Sequence, residues 1–198
     1  MPAPAPAFRT VEARVLDAAK VCCERWGVAK VTIDDIASEA GVSRATLYRM
    51  FPGGKDVLFD ALRVRDLEDF FTRLTAEVRG IDDLDELLVR VVVMATNELR
   101  DDQHLATILA SEPGEILGQL TVEGVSRITR VATVFLSPLV EPHLPRREAA
   151  RLVDLLARMV ISYFLAPSDH VDLGEPESAR SFITTHITPG FRPVTHRS

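Results

Sequence analysis

Residues 32–54, TIDDIASEAGVSRATLYRMFPGG, constrain the fold more than any other stretch. Two short runs of helical periodicity, IDDIASEA and RATLYRM, are separated only by Gly-Val-Ser. Thr32 stands where a side chain caps the first run. Asp35 follows three residues on in capping-box position, where Glu or Gln is usual. Ser43 is placed to cap the second run. Gly41 is free to adopt the positive φ that ends the first helix. Pro52-Gly53-Gly54 then stop the second. Two short helices joined this way fit a tight approach, with Val42 plugging the turn and Ile36, Ala37 and Leu47 facing inward. That arrangement predicts a helix-turn-helix.

The second helix of such a unit leaves one face outward. Here that face carries Arg44, Ala45, Thr46, Tyr48 and Arg49. Arg44 in the first turn can donate two hydrogen bonds to guanine O6 and N7. The hydroxyls of Thr46 and Tyr48 suit phosphate oxygens. Lys55 opens the following helix, where its charge and the backbone N–H groups can hold a phosphate together. The charge distribution agrees. The chain has 198 residues and net charge -6, but residues 1–55 hold eight Lys/Arg against six Asp/Glu. The remaining fifteen against twenty-three put the acidity in the C-terminal part. The N-terminal part is the one suited to meet a polyanion.

The stretch TIDDIASEAGVSRATLYRMFPGGKDVL resembles the TetR family of transcriptional regulators. It follows that family's pattern of Thr, Ile-Ala, Ala-Gly-Val-Ser, Thr-Leu-Tyr, Phe and Lys. Ala45 stands where the family often has Gly, and Met50 where it often has His. The resemblance spans residues 15 to 58. It implies Thr32, Ser43, Arg44, Ala45, Thr46, Tyr48, Arg49 and Lys55 as the DNA-contacting set. It also implies a two-fold homodimer on a palindromic double-stranded operator, with a C-terminal domain that binds a small-molecule effector.

Around this unit the pattern stays helical. The spacing predicts helices near 10–26, 33–40, 44–51, 55–78, 83–101, 103–111, 114–140, 146–166 and 176–187, about nine in an all-α fold. Val15, Leu16, Ala19, Cys22, Cys23 and Trp26 recur on the first, with Gly27 as its C-cap. Val57, Leu58, Leu62, Leu67, Phe70, Phe71 and Leu74 recur on the fourth. The expected organisation is a Pro/Ala arm over 1–9, a DNA-binding domain over 10–56, and a ligand-binding and dimerisation domain over 57–198.

In the C-terminal part, helix 83–101 is apolar around much of its circumference, more than one packing face requires. A cavity shared with 103–111 and 114–140 would explain the excess. Leu87, Val91, Met94, Asn97, Thr107, Leu120, Ile128 and Phe135 are its candidate lining. With no charged group clearly inside, a lipid, fatty acyl compound or hydrocarbon is the expected effector class. Helix 146–166 has a broad apolar face. Leu152, Leu156, Met159, Val160 and Tyr163 there, with Phe182 and Ile183, resemble the family's four-helix dimer interface.

Other function classes find little support. No apolar run approaches the roughly 20 residues that span a bilayer. MPAPAPA has neither the basic nor the apolar region of a secretory signal, and a cytoplasmic location is expected. Adjacent Cys22 and Cys23 suit no disulfide; Cys23 reads as the small core residue of the pair. The five histidines are scattered, so no metal and no cofactor is expected. Gly-x-Ser-x-Gly, P-loop and dinucleotide fingerprints are missing, so no enzyme is expected. A helical enzyme or an interaction protein with a borrowed helix-turn-helix is the alternative.

Overall fold

The structure is a computed structural model that describes residues 10–102 and 123–191. Its α-helices are α1 (Val11–Trp26), α2 (Ile33–Ala40), α3 (Arg44–Met50), α4 (Lys55–Glu77), α5 (Leu84–Asp101), α6 (Glu123–Val140), α7 (Arg146–Leu165) and α8 (Pro176–Phe182). Among the described residues there are eight, and no strand. Of the nine predicted helices, 103–111 lies outside the described residues, as do the arm over 1–9 and the first part of 114–140. The chain divides into two compact units, one ending at Leu67 and the other beginning at Glu68. α4 runs through that division without a break.

In the first unit local chemistry sets every helix end. Thr10 caps α1 by accepting the Ala13 N–H, and the Gly27 N–H closes it on the Cys23 carbonyl. The capping box is complete despite the shorter acid: the Thr32 hydroxyl accepts from the Asp35 N–H at 3.2 Å, and the Asp35 carboxylate accepts from the Thr32 N–H at 2.9 Å. Gly41 has φ 64°, as the turn requires. Its N–H and that of Val42 satisfy the last carbonyls of α2. The core behind these ends is aliphatic. Val15, Ala19, Cys22, Ile36, Leu47 and Leu58 are fully buried, with Val31 and Phe51 nearly so. Each large side chain withdrawn from water contributes roughly 1.5–3 kcal/mol.

Three sequence expectations need correction here. Cys22, not Cys23, is the fully buried cysteine. Neighbours on a helix point about 100° apart, so only one can face the core squarely. Burial pushes the thiols of both up. Trp26 is 43% exposed, because it is the last residue of α1 and its ring lies under the Arg25 guanidinium instead of in the core. Val57 is likewise 41% exposed. It sits over Gly53, where an added Cβ would come within 2.4 Å of Val57 Cγ2.

In the second unit α5 is the central helix. Leu87, Leu88, Val89, Val91, Val92 and Thr96 are buried where α7, α8 and the following turn pack around it. This packing uses most of the apolar circumference that the sequence presents. α6 packs along α7, and Phe135 stacks on Phe71 at 6.0 Å. After α7 the chain returns to α5. Arg100 pairs with Asp172 at 2.8 Å, Asn97 Nδ2 donates to the Gly174 carbonyl at 3.2 Å, and Arg180 on α8 pairs with Glu86. The Arg100 guanidinium, and then the Gly174 N–H, hold the Asp172 carboxyl below its usual range. The last predicted helix does not stay α-helical to 187. It widens into a π-turn over Ile183–Ile187, followed by a 3-10 turn at Thr188–Gly190. The buried Thr188 closes the wider turn: both its N–H and its hydroxyl donate to the Ile183 carbonyl five residues back.

Candidate nucleic-acid interface

The seven residues of α3 divide cleanly. Leu47 is fully buried against α1 and α2 core side chains and fixes the helix axis. On the opposite side Arg44, Ala45, Tyr48 and Arg49 are exposed, forming one i, i+1, i+4, i+5 face. Arg44 is the most constrained of them. Its guanidinium lies 3.1 Å from the Asp34 carboxylate in the first turn of α2, and 5.6 Å from the centre of the Tyr48 ring.

The hydroxyl residues are committed to helix ends. Ser43 Oγ accepts from the Thr46 N–H at 3.1 Å and lies 2.9 Å from Thr46 Oγ1, itself half-buried. Thr32 Oγ1 donates to Asp35 Oδ2 at 2.6 Å. These bonds from Thr32 hold the Asp35 carboxyl below the usual carboxylate range, the hydroxyl first and the N–H second. Lys55 turns inward. Its ammonium donates to the Val28 carbonyl at 2.7 Å and stands 5.5 Å from the Phe59 ring centre. The structure therefore brings Arg44, Ala45, Tyr48 and Arg49 together on one open face. Thr32 and Ser43 are exposed at helix N-termini, and Thr46 and Lys55 are half-buried, each with an intramolecular hydrogen bond.

Two features were missed in the sequence. Asp34 pairs with Arg44 across the turn, ten residues away, and the only signal is an acidic doublet opposite an arginine. α1 is pinned to α4 by Arg65–Asp17 at 2.9 Å and Lys20–Asp66 at 3.2 Å. No short-range pattern predicts pairs 48 and 46 residues apart.

The C-terminal candidates separate differently. Leu87 and Val91 line a wholly apolar void of about 10 Å³ with Leu88, Leu136, Leu139, Val140, Val153 and Leu156. Met94 and Ile128 are half-buried elsewhere, Asn97 is bonded to Gly174, and Phe135 to Phe71 by stacking. Thr107 and Leu120 lie outside the described residues. Of the residues assigned to a dimer face, Leu152 and Ile183 are fully buried within the single chain, and Leu156, Met159 and Val160 are buried too. Internal packing already takes up these side chains. Tyr163 and Phe182 are half-exposed and meet edge to face at 5.7 Å. The large apolar side chains left outward on α6 and α7 are Val134 and Leu155, 71% and 41% exposed. No described helix is long and apolar enough to cross a membrane.

Comparison with known proteins agrees with this geometry. Residues 15–62 match the family described as bacterial regulatory proteins, tetR family. An uncharacterised HTH-type transcriptional regulator of Mycobacterium bovis is 30% identical over 186 residues, covering 90% of this chain and 92% of the relative. Another from Mycobacterium tuberculosis is 32% identical over 187 residues, covering 89% and 85%. Among solved structures, the TetR family repressor AlkX of a Dietzia strain, implicated in biodegradation of n-alkanes, superposes with TM-score 0.68 at 22% identity, over 93% of this chain and 98% of that one. The regulator FadR of Bacillus subtilis in complex with stearoyl-CoA superposes with TM-score 0.51 at 19% identity, over 88% and 98%.

Proposed function

The chain belongs to the TetR family of bacterial regulatory proteins, and on that premise we propose that it is a homodimeric repressor released from a palindromic operator by a hydrophobic effector. That it is a DNA-binding transcriptional regulator, and not an enzyme, follows from the family and from relatives that are themselves regulators. The observation that carries the proposal is the outward face of α3: Arg44, Ala45, Tyr48 and Arg49, backed by the fully buried Leu47. A seven-residue helix cannot hold a fixed orientation by itself. Leu47 and the caps at Ser43 and Phe51 supply that orientation. Two such helices in a dimer engage successive major grooves about 34 Å apart.

The apolar excess of α5, which packs an entirely aliphatic seam against α6 and α7, supports the effector class. A hydrocarbon or acyl chain is the ligand such a wall favours. The n-alkane connection of the Dietzia repressor and the stearoyl-CoA of the Bacillus regulator support the same class in proteins of this fold. At about 10 Å³ the void admits no more than a water, so a chain-like effector must part the helices to enter. α4, continuous from Lys55 to Glu77, belongs to both units and is the natural lever. Effector binding then favours a state in which the recognition helices no longer match the operator. We place the dimer face on the outward side of α6 and α7, at Val134 and Leu155. A regulator of this kind acts in the cytoplasm, where its operator is.

Selection from random-sequence duplexes, followed by release assays with alkanes and acyl compounds, tests the reading. Recovery of an inverted repeat, released by long-chain apolar compounds, is the expected result. An unenriched pool overturns the DNA assignment, and release by polar metabolites alone overturns the effector class.

A further inference from the structure

An acidic side chain beside a DNA-reading face opposes binding unless it has a task there, because phosphates repel it. Asp34 is such a residue. Its carboxylate lies 3.1 Å from Arg44 Nη1, and the two side chains are 64% and 61% exposed. Asp34 is not the cap of α2, since Thr32 and Asp35 form both bonds of the capping box; as an acid in the first turn it also complements the helix dipole, which does not require its bond to Arg44. It contributes to no buried core. Its ion-pair partner in the fold is Arg44.

We propose that Asp34 is a specificity-determining residue that acts through Arg44. It holds the guanidinium in an intramolecular ion pair that a correctly placed guanine displaces and a phosphate alone does not. The proposal rests on the reading of α3 as the recognition helix. Exposed ion pairs are weak, worth a factor of about five at most in an equilibrium. A bidentate contact to guanine O6 and N7 discriminates by about 5- to 150-fold. Guanine therefore wins the exchange. On a sequence without guanine at that step, Arg44 gains only a point-charge contact to the backbone. It loses one of similar strength to Asp34, so little affinity results.

The pair also prepares Arg44 for its target. The guanidinium is held between the Asp34 carboxylate and the Tyr48 ring, 5.6 Å from its centre. An arginine already confined to one region loses less side-chain freedom when it docks. Removing Asp34 thus has two consequences with one direction. Non-specific binding gains a free cation and loses a repelling charge, while operator binding gains the same charge terms but loses the confinement.

The test measures affinity of the full-length protein for the selected operator and for a scrambled duplex, at several salt concentrations, for wild type, Asp34→Asn, Arg44→Ala and the double variant. Asparagine keeps the size of Asp34, and a single cooperative melting transition with unchanged helix content confirms the fold. The expected result is that Asp34→Asn tightens scrambled DNA more than operator. Because the charge terms are common to both duplexes, the specificity ratio falls by the lost confinement alone, about 2- to 12-fold per half-site. The salt slope on scrambled DNA steepens by about 1 to 2 as Arg44 reaches phosphates in each half-site. Equal tightening on both duplexes, or an Asp34→Asn effect that persists undiminished in the Arg44→Ala background, overturns the proposal while leaving α3 as the reader. If Arg44→Ala changes neither affinity, the recognition-helix reading itself fails and the proposal with it.

Discussion

Lys55 Nζ donates to the Val28 carbonyl oxygen across 2.7 Å, so the residue that opens α4 is bonded to the turn that follows α1. The same ammonium lies 3.5 Å from the Ala29 carbonyl and over the Phe59 ring. A charge-assisted bond of this kind contributes about 1–2 kcal/mol when half-buried. Lys55→Ala is therefore expected to lower the unfolding free energy of the protein by that much, with the slope of log affinity against log salt unchanged. A slope smaller by about 2 at unchanged stability would instead put one Lys55 phosphate contact in each half-site.

The Thr32–Asp35 box gives a pH dependence whose sign is fixed. The Asp35 carboxyl titrates below its usual range in the folded protein because the Thr32 hydroxyl and N–H bond to its charged form. Its stabilising effect is thus fully present above the unfolded carboxylate pKa of about 3.9 and disappears as pH falls through the lower folded value. Asp35→Asn should reduce stability at neutral pH and flatten the acid limb of the stability profile below about pH 4. A profile identical to wild type in that limb would show that Asp35 is no better stabilised folded than unfolded.

Gly53 is constrained for a steric reason, not a conformational one. A Cβ there would stand 2.4 Å from Val57 Cγ2 on the first turn of α4, a β-branched side chain with little freedom to move. Gly53→Ala should cost about 1–3 kcal/mol. Val57→Ala in the same chain should recover most of it, since Val57 itself is largely outside the core. Non-recovery in the double variant would place the strain in the backbone of the Pro52–Gly54 turn.

Much of the first unit was legible in the sequence because its signals are local. Thr10, Gly27, Thr32, Gly41 and Ser43 each act on backbone groups within a few residues, and all lie at helix ends as their chemistry requires. Leu47 and Ile36 face inward as the two-helix geometry demands. What was not legible is where side chains with several possible partners settle. A lysine at a helix start suits a phosphate and a backbone carbonyl equally well by composition, and only the path of residues 27–31 brings the Val28 carbonyl within reach of Lys55. In the second unit the apolar face of α7 could serve a neighbouring helix or a second subunit. Periodicity identifies the face but not what covers it. Leu156 lines the internal void, and one position away Leu155 points outward.

Those two leucines separate folding from assembly. Leu156→Ala enlarges the void and should lower stability by about 2–5 kcal/mol with the oligomeric state retained. Val134→Glu with Leu155→Glu should give a folded monomer in sedimentation experiments, with operator binding greatly weakened. A dimer that survives the double glutamate substitution would move the interface off α6 and α7.

The most direct measurement of the central claim, that the outward face of α3 reads base sequence, is affinity for a set of operators altered one base pair at a time, for wild type and Arg44→Ala. Wild type should discriminate by about 5- to 150-fold at a guanine in each half-site, and Arg44→Ala should lose that discrimination at that position while keeping it elsewhere. A uniform loss of affinity across every operator, with the wild-type pattern of preference intact, would contradict the account and make Arg44 a backbone clamp.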